Sequence, residues 1–185
     1  MKNIFLLLLF LFTQSIGFSQ NSQENVEVET NTFYVWEELN LEDAENTGFT
    51  YQECNFMNML LRSVKLGIIR PYQNDSLQIR LSQEDFLNRI NQNKILNKII
   101  LKNKVKCDFD KVMYQEILAI SIYSTNEKGS EKLICAFSYQ ELEQNLLLDN
   151  SEAVICLGEN LKIPLIEIFK NHSFKTTFWK KKKIE

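Results

Sequence analysis

Between residues 114 and 124 the chain places Ile117, Leu118, Ile120 and Ile122 in close succession. Side chains branched at Cβ in that density favour a strand over a helix. Residues 126–130 then include Gly129 and suit a loop that closes a hairpin onto 132–137, where Leu133, Ile134, Cys135 and Phe137 form a second apolar run. That run leads into Ser138-Tyr139-Gln140-Glu141, in which the serine can accept from the third following amide and the acid can reach back. An earlier stretch follows the same plan. Leu77, Ile79 and Leu81 alternate with polar residues and run into Ser82-Gln83-Glu84-Asp85. The helix expected after each cap carries apolar residues inward, Phe86, Leu87 and Ile90 in one and Leu142, Leu146 and Leu147 in the other.

Phe33-Tyr34-Val35-Trp36 is aromatic and β-branched and predicts a strand, followed by an acidic turn over 40–48. From 51 to 67 the period changes. Phe56, Leu60 and Val64 recur every four residues, with Met59 and Ile68 alongside, which is one helical stripe. Thr50 is placed to cap its start, Gly67 to make the left-handed turn at its end, and Pro71 to stop any continuation. Residues 95–101 fit helix or strand equally. A further strand is expected over 153–157, and Pro164 suits the first turn of a short helix over 165–171. These elements together give an α+β class: a mainly antiparallel sheet with short helices packed on it. Residues 33–179 read as one such domain, or as two lobes over 33–93 and 109–179.

Ahead of the domain, Lys2 precedes an apolar run over 4–12 and a small, polar stretch ending at Ser19. That order is expected of a cleavable signal over 1–19 and places the working chain outside the cytoplasm. The run falls short of the ~20 residues a membrane-spanning helix needs. Residues 20–32, rich in Asn, Gln and Glu, suit a flexible lead-in. The whole chain has 185 residues and a formal net charge of −3; removing Lys2 with the signal makes it one unit more acidic. Such a balance argues against a nucleic-acid partner. The charge is uneven, acidic over 24–53 and basic over 94–106 and 170–183, which either steers a partner or marks two solvated faces.

Chemistry-bearing groups are sparse. Cys54, Cys107, Cys135 and Cys156 allow three pairings. Export permits a bridge, and Cys135 and Cys156 lie on strands that could be neighbours, yet cysteine in apolar runs also serves as a small core residue. No cysteine pair has zinc-ligand spacing, and His172 is the only histidine, so neither metal nor cofactor is expected. Glu37 with Glu38, Glu84 with Asp85, and Glu141 with Glu143 are adjacent or near-adjacent acids that suit surface charge and caps better than acid–base pairs. A Cys–His nucleophile would need an exposed thiol in an electropositive setting. No Gly-x-Ser-x-Gly turn frames a serine, and the five glycines are scattered.

The C-terminal stretch is the most distinctive. Phe169, Phe174, Phe178 and Trp179 are interleaved with Lys170 and Lys175 and followed by Lys180, Lys181, Lys182 and Lys183. Aromatic bodies with charged neighbours suit a docking surface, and a lysine run over 180–185 also suits contact with an anionic membrane surface. Phe169, Phe174, Phe178, Trp179, Lys180 and Lys181 are therefore the candidate partner-binding residues. A terminal strand ending in a solubilising tail accounts for the same residues.

Several segments, in order, resemble the gliding-motility protein N/Por secretion protein N family of the type IX secretion system. Phe33-Tyr34-Val35-Trp36-Glu37-Glu38-Leu39-Asn40 is similar to that family's opening strand, and residues 56–72, ending Lys65-Leu66-Gly67-Ile68-Ile69-Arg70-Pro71-Tyr72, to its helix and exit. Residues 112–123, with Gln115-Glu116, resemble its long strand, 133–146 its strand-then-helix segment, and 163–180, containing Ile168-Phe169-Lys170-Asn171-His172-Ser173-Phe174, its closing stretch. The resemblance implies a structural role in the periplasm without catalysis or cofactor. It also implies docking with envelope proteins, an outer-membrane lipoprotein among them, in a ring-like assembly compatible with a homo-oligomer. An unrelated periplasmic module with an apolar ligand pocket, and a thiol-dependent enzyme, are the competing expectations.

Overall fold

The computed structural model describes residues 30–51, 55–93, 96–108, 111–125, 129–148, 153–156 and 161–184. The expected signal and all but the end of the lead-in lie outside them. Five strands form the main sheet: β1 (Thr30–Asn40), β2 (Leu96–Asp108), β3 (Lys111–Thr125), β4 (Glu131–Ser138) and β7 (Thr177–Lys183). They lie in the order β4-β3-β2-β1-β7, every neighbour antiparallel. Two short strands, β5 (Val154–Cys156) and β6 (Lys162–Pro164), make a separate ribbon. The helices are α1 (Phe56–Lys65), α2 (Gln83–Gln92), α3 (Tyr139–Leu142), continued by a π turn at Glu143–Leu147, and α4 (Leu165–Lys170), with a 3-10 turn at Ala44–Phe49. The fold is α+β.

Strand residues alternate between faces, so the register sorts the sheet. Leu39 lies opposite Ile99, Ile99 opposite Ile122, Leu101 opposite Ile120, and Phe137 and Cys135 opposite Ile120 and Ile122. All of these side chains are buried on one face. The helices cover that half: α1 buries Phe56, Leu60 and Val64, α2 Phe86, α3 and its π turn Leu142, Leu146 and Leu147, and α4 Leu165, Ile168 and Phe169. Each such large side chain contributes about 1.5–3 kcal/mol relative to leaving it in water. Phe49, Phe56, Phe169 and Phe174 meet edge to face or tilted at centroid distances of 5.8–6.4 Å, a geometry the ring quadrupoles favour.

The two serine caps form as the sequence dictates. Ser82 Oγ accepts from the Asp85 amide at 3.0 Å and Ser138 Oγ from the Glu141 amide at 3.4 Å. Gly67 takes the left-handed turn after α1, φ 71°. Other expectations are corrected. Asn55, not Thr50, caps α1, accepting from the Asn58 amide, while Thr50 Oγ1 donates to the Thr47 carbonyl. Residues 76–81 form no strand, because only Arg80 makes a bridge, to Tyr72. The ambiguous residues from Leu96 onward are strand. β1 already starts at Thr30, inside the expected lead-in, and β7 takes in Lys180–Lys183, so the lysine run is sheet rather than tail. The sheet therefore draws strands from both ends of the chain.

Candidate docking surface

The entry to β7 is fixed by buried groups. α4 ends in a left-handed turn at His172, φ 47°, which brings Phe174 back onto Phe169 and Phe49. Asn46 is buried and donates its amide to the Asn40 and Lys175 carbonyls at 2.8 and 3.0 Å, while its own oxygen accepts from the Lys175 amide at 3.1 Å. Three bonds from one side chain thus tie the start of β7 to the end of β1. From there β7 follows β1 from Glu38 opposite Thr177 to Phe33 opposite Lys183, with an irregularity between Trp36 and Glu37 that sets Trp179 out of register. The Ile184 amide closes the pairing on the Thr32 carbonyl at 2.9 Å.

The lysines of β7 project to both faces. Lys180 pairs with Trp36 and Lys182 with Tyr34 on one, and Lys181 with Val35 and Lys183 with Phe33 on the other. Lys180 Nζ sits 4.2 Å from the Trp36 ring centre and 4.9 Å from that of Trp179, and Lys181 Nζ 3.6 Å from that of Phe33. All three distances fall within cation–π range. Trp36 is itself pinned, its Nε1 donating to Asp75 Oδ2 at 2.6 Å beneath the 73–79 loop, while Lys102 Nζ donates to the Asp75 carbonyl at 2.9 Å.

On the other face the helices stop short of the sheet's far end. Glu37, Asn103 and Gln115 form a polar boundary, with Asn103 Nδ2 donating to Glu37 Oε2 at 2.7 Å and Gln115 Nε2 to the same oxygen at 3.3 Å. Beyond it lies a trough of about 470 Å³ floored by Phe33, Val35, Val105, Cys107, Val112 and Phe178, with Lys181 on its rim. Every lining residue belongs to β1, β2, β3 or β7, so no helix roofs it. The sequence signal for this trough was the apolar alternation of β1 and β2 continuing past the reach of the helices.

The six candidate residues separate into two groups. Phe169 is 1% exposed and belongs to the core, and Phe174 is half-buried against it; neither stands on the β7 surface, a correction that follows from the left-handed turn folding Phe174 inward. Phe178 is 68% and Trp179 38% exposed, and they share β7 with Lys180 and Lys181. Lys170 and Lys175 are engaged elsewhere, with Glu143 at 3.3 Å and Glu45 at 2.9 Å.

The groups weighed for catalysis lie apart. Glu37 and Glu38 point to opposite faces, and Glu38 holds Lys98 at 2.9 Å. Asp85 accepts from Ser82, and Glu141 from Arg80 and Tyr72. Cys135 is a fully buried free thiol whose pKa burial pushes far up, against a smaller opposing pull from Arg89. Cys156 is disulfide-bonded, so the suggested Cys135–Cys156 pairing does not occur. Cys107 is a free thiol at the trough floor; Cys54 lies outside the described residues. His172 packs on Phe174 at 5.6 Å. Among the described residues no group of three or more His, Cys, Asp or Glu side chains could hold a metal ion.

The family model of gliding motility associated protein GldN matches residues 32–185, from within β1 to beyond β7. The chain belongs to the GldN family. Membership makes it a component of the gliding-motility and type IX secretion machinery, which works through protein partners. The GldN match takes in the whole lysine-bearing strand. No curated protein matches the chain.

Proposed function

We propose that the chain is a non-enzymatic scaffold or adaptor in the periplasm, exported by a cleavable signal over 1–19. It docks an envelope protein, such as an outer-membrane lipoprotein, through β7. The observation that carries this reading is the free outer edge of β7: Phe178, Trp179, Lys180 and Lys181 stand on a sheet edge that nothing else pairs with among the described residues. An edge strand offers a row of backbone donors and acceptors to a partner strand, and exposed aromatic side chains supply anchors beside it. The lysines favour a protein over a lipid surface, because alternation sends half of them to each face and a flat membrane would meet only one set.

The test is capture from envelope extract by residues 20–185, wild type against Phe178→Asp/Trp179→Ala. Wild type should retain an envelope protein that the variant loses by at least tenfold. Equal capture by both would remove β7 from the reading, and no capture by wild type would remove the adaptor role.

A further inference from the structure

We infer that β7 accepts the acidic segment 24–29 of a second copy of this chain as an added strand. The inference rests on the reading of β7 as a docking surface and names one occupant for it. Segment 24–29, which lies outside the described residues, reads Glu24-Asn25-Val26-Glu27-Val28-Glu29. It alternates valine with glutamate immediately before β1. In extended form its six residues span about 20 Å, close to the reach of the seven-residue β7.

Three features match. Antiparallel or parallel pairing would put Val26 and Val28 on one face and Glu27 and Glu29 on the other. With the valines on the trough side they extend its apolar floor beside Phe178, and the glutamates then meet Lys180 and Lys182. Edge lysines ordinarily repel a neighbouring sheet edge; opposite an acidic strand the same charges select the partner and its register. Finally, the occupant comes from another copy. Thr30 lies at the end of the sheet where β7 finishes, since Phe33 pairs with Lys183 and Thr32 with Ile184. Pairing of segment 24–29 with its own β7 would need the chain to reverse directly before Thr30, whereas pairing with that of a second copy needs no reversal. A donor segment on one surface and an acceptor edge on another make a head-to-tail contact, which closes into a ring or grows open-ended.

Light scattering after size exclusion at low salt, on residues 20–185, tests this. Wild type should form species larger than a dimer that grow with concentration and shrink at high salt. Lys180→Glu/Lys182→Glu (acceptor reversed) and Glu24→Lys/Glu27→Lys/Glu29→Lys (donor reversed) should each stay monomeric with an unchanged circular dichroism spectrum. Mixed together they should assemble again to species as large as wild type forms, alternating the two variants, because the donor of each is opposite in charge to the acceptor of the other. A monomeric wild type, or either reversed variant assembling like wild type, would overturn the inference. So would a mixture that stays monomeric. Self-association without capture of an envelope protein would leave this inference standing and end the adaptor reading; capture without self-association would do the reverse.

Discussion

The two edges of the main sheet are treated in opposite ways. At β4 the outward carbonyls and amide are taken up. Ala136 exchanges two bonds with Tyr72, at 2.7 and 3.0 Å, and Arg89 donates to the Ile134 carbonyl at 2.9 Å. Tyr72 is held in turn, its hydroxyl donating to Glu141 at 2.8 Å and its ring lying 4.0 Å beneath the Arg80 guanidinium. At β7 the outer edge carries exposed aromatic rings and lysines and no pairing segment among the described residues. Both edges present the same backbone chemistry. What differs is whether the chain supplies its own cover, and a sheet that closes one edge so fully leaves the other as the place for something else to bind.

The contrast can be broken most strongly from within the core. Phe169→Ala should cost about 3–5 kcal/mol in a denaturant titration, the usual range for removing a buried phenylalanine. Phe178→Ala should stay within about 0.5 kcal/mol of wild type while reducing capture of an envelope partner. Two phenylalanines nine positions apart would thereby be separated by stability on one side and binding on the other.

Next in size is the closed edge. Tyr72→Pro deletes the amide that bonds Ala136 and should cost roughly 3 kcal/mol. It should also bring concentration-dependent aggregation, visible by light scattering, as β4 becomes available. If the variant stayed monomeric and as stable as wild type, the bridge to Tyr72 would not be what closes that edge.

A smaller effect concerns the clamp on Tyr72. Hydrogen bonds from Arg80 hold the Glu141 carboxyl below its ordinary range, with desolvation opposing and the Tyr72 hydroxyl assisting. A carboxyl depressed in the folded state adds stability above its unfolded pKa and loses it as pH falls through its folded pKa. Both side chains are partly solvated, so Glu141→Gln should cost about 0.5–1 kcal/mol at neutral pH. The gap to wild type should narrow in acid, measured as urea midpoints at pH 7 and pH 3. The least change in stability is expected for Lys180→Ala, within about 0.5 kcal/mol, with a loss of partner capture that high salt imitates.

Much of this architecture was legible from residue pattern. The β-branched run around Ile120, the four-residue period of Phe56, Leu60 and Val64, and the serine caps at 82 and 138 are local signals with local causes. Local pattern failed where distant contacts decide. Leu77, Ile79 and Leu81 alternate like a strand, but the segment is spent supporting Tyr72 against β4 and covering Trp36 through Asp75. Thr50 lost the cap of α1 because the 3-10 turn engages it and Asn55 stands one residue before the helix. At the C-terminus, Phe169, Phe174, Phe178 and Trp179 look alike in sequence. Their division depends on the reversal at His172, a left-handed residue without the glycine that would have announced it. In sequence the lysine run reads as a tail, because strand propensity disfavours lysine. Pairing with β1 and stacking over Trp36 and Phe33 override that preference.

Hydrogen exchange of the backbone amides, on the protein alone and bound to the envelope protein it captures, compares both edges at once. The amides of Thr177–Lys183 that do not bond to β1 should exchange quickly in the monomer at high salt and slow markedly on binding, while that of Ala136 is protected throughout. Binding that slows exchange elsewhere and leaves β7 unchanged would contradict the docking role given to this edge.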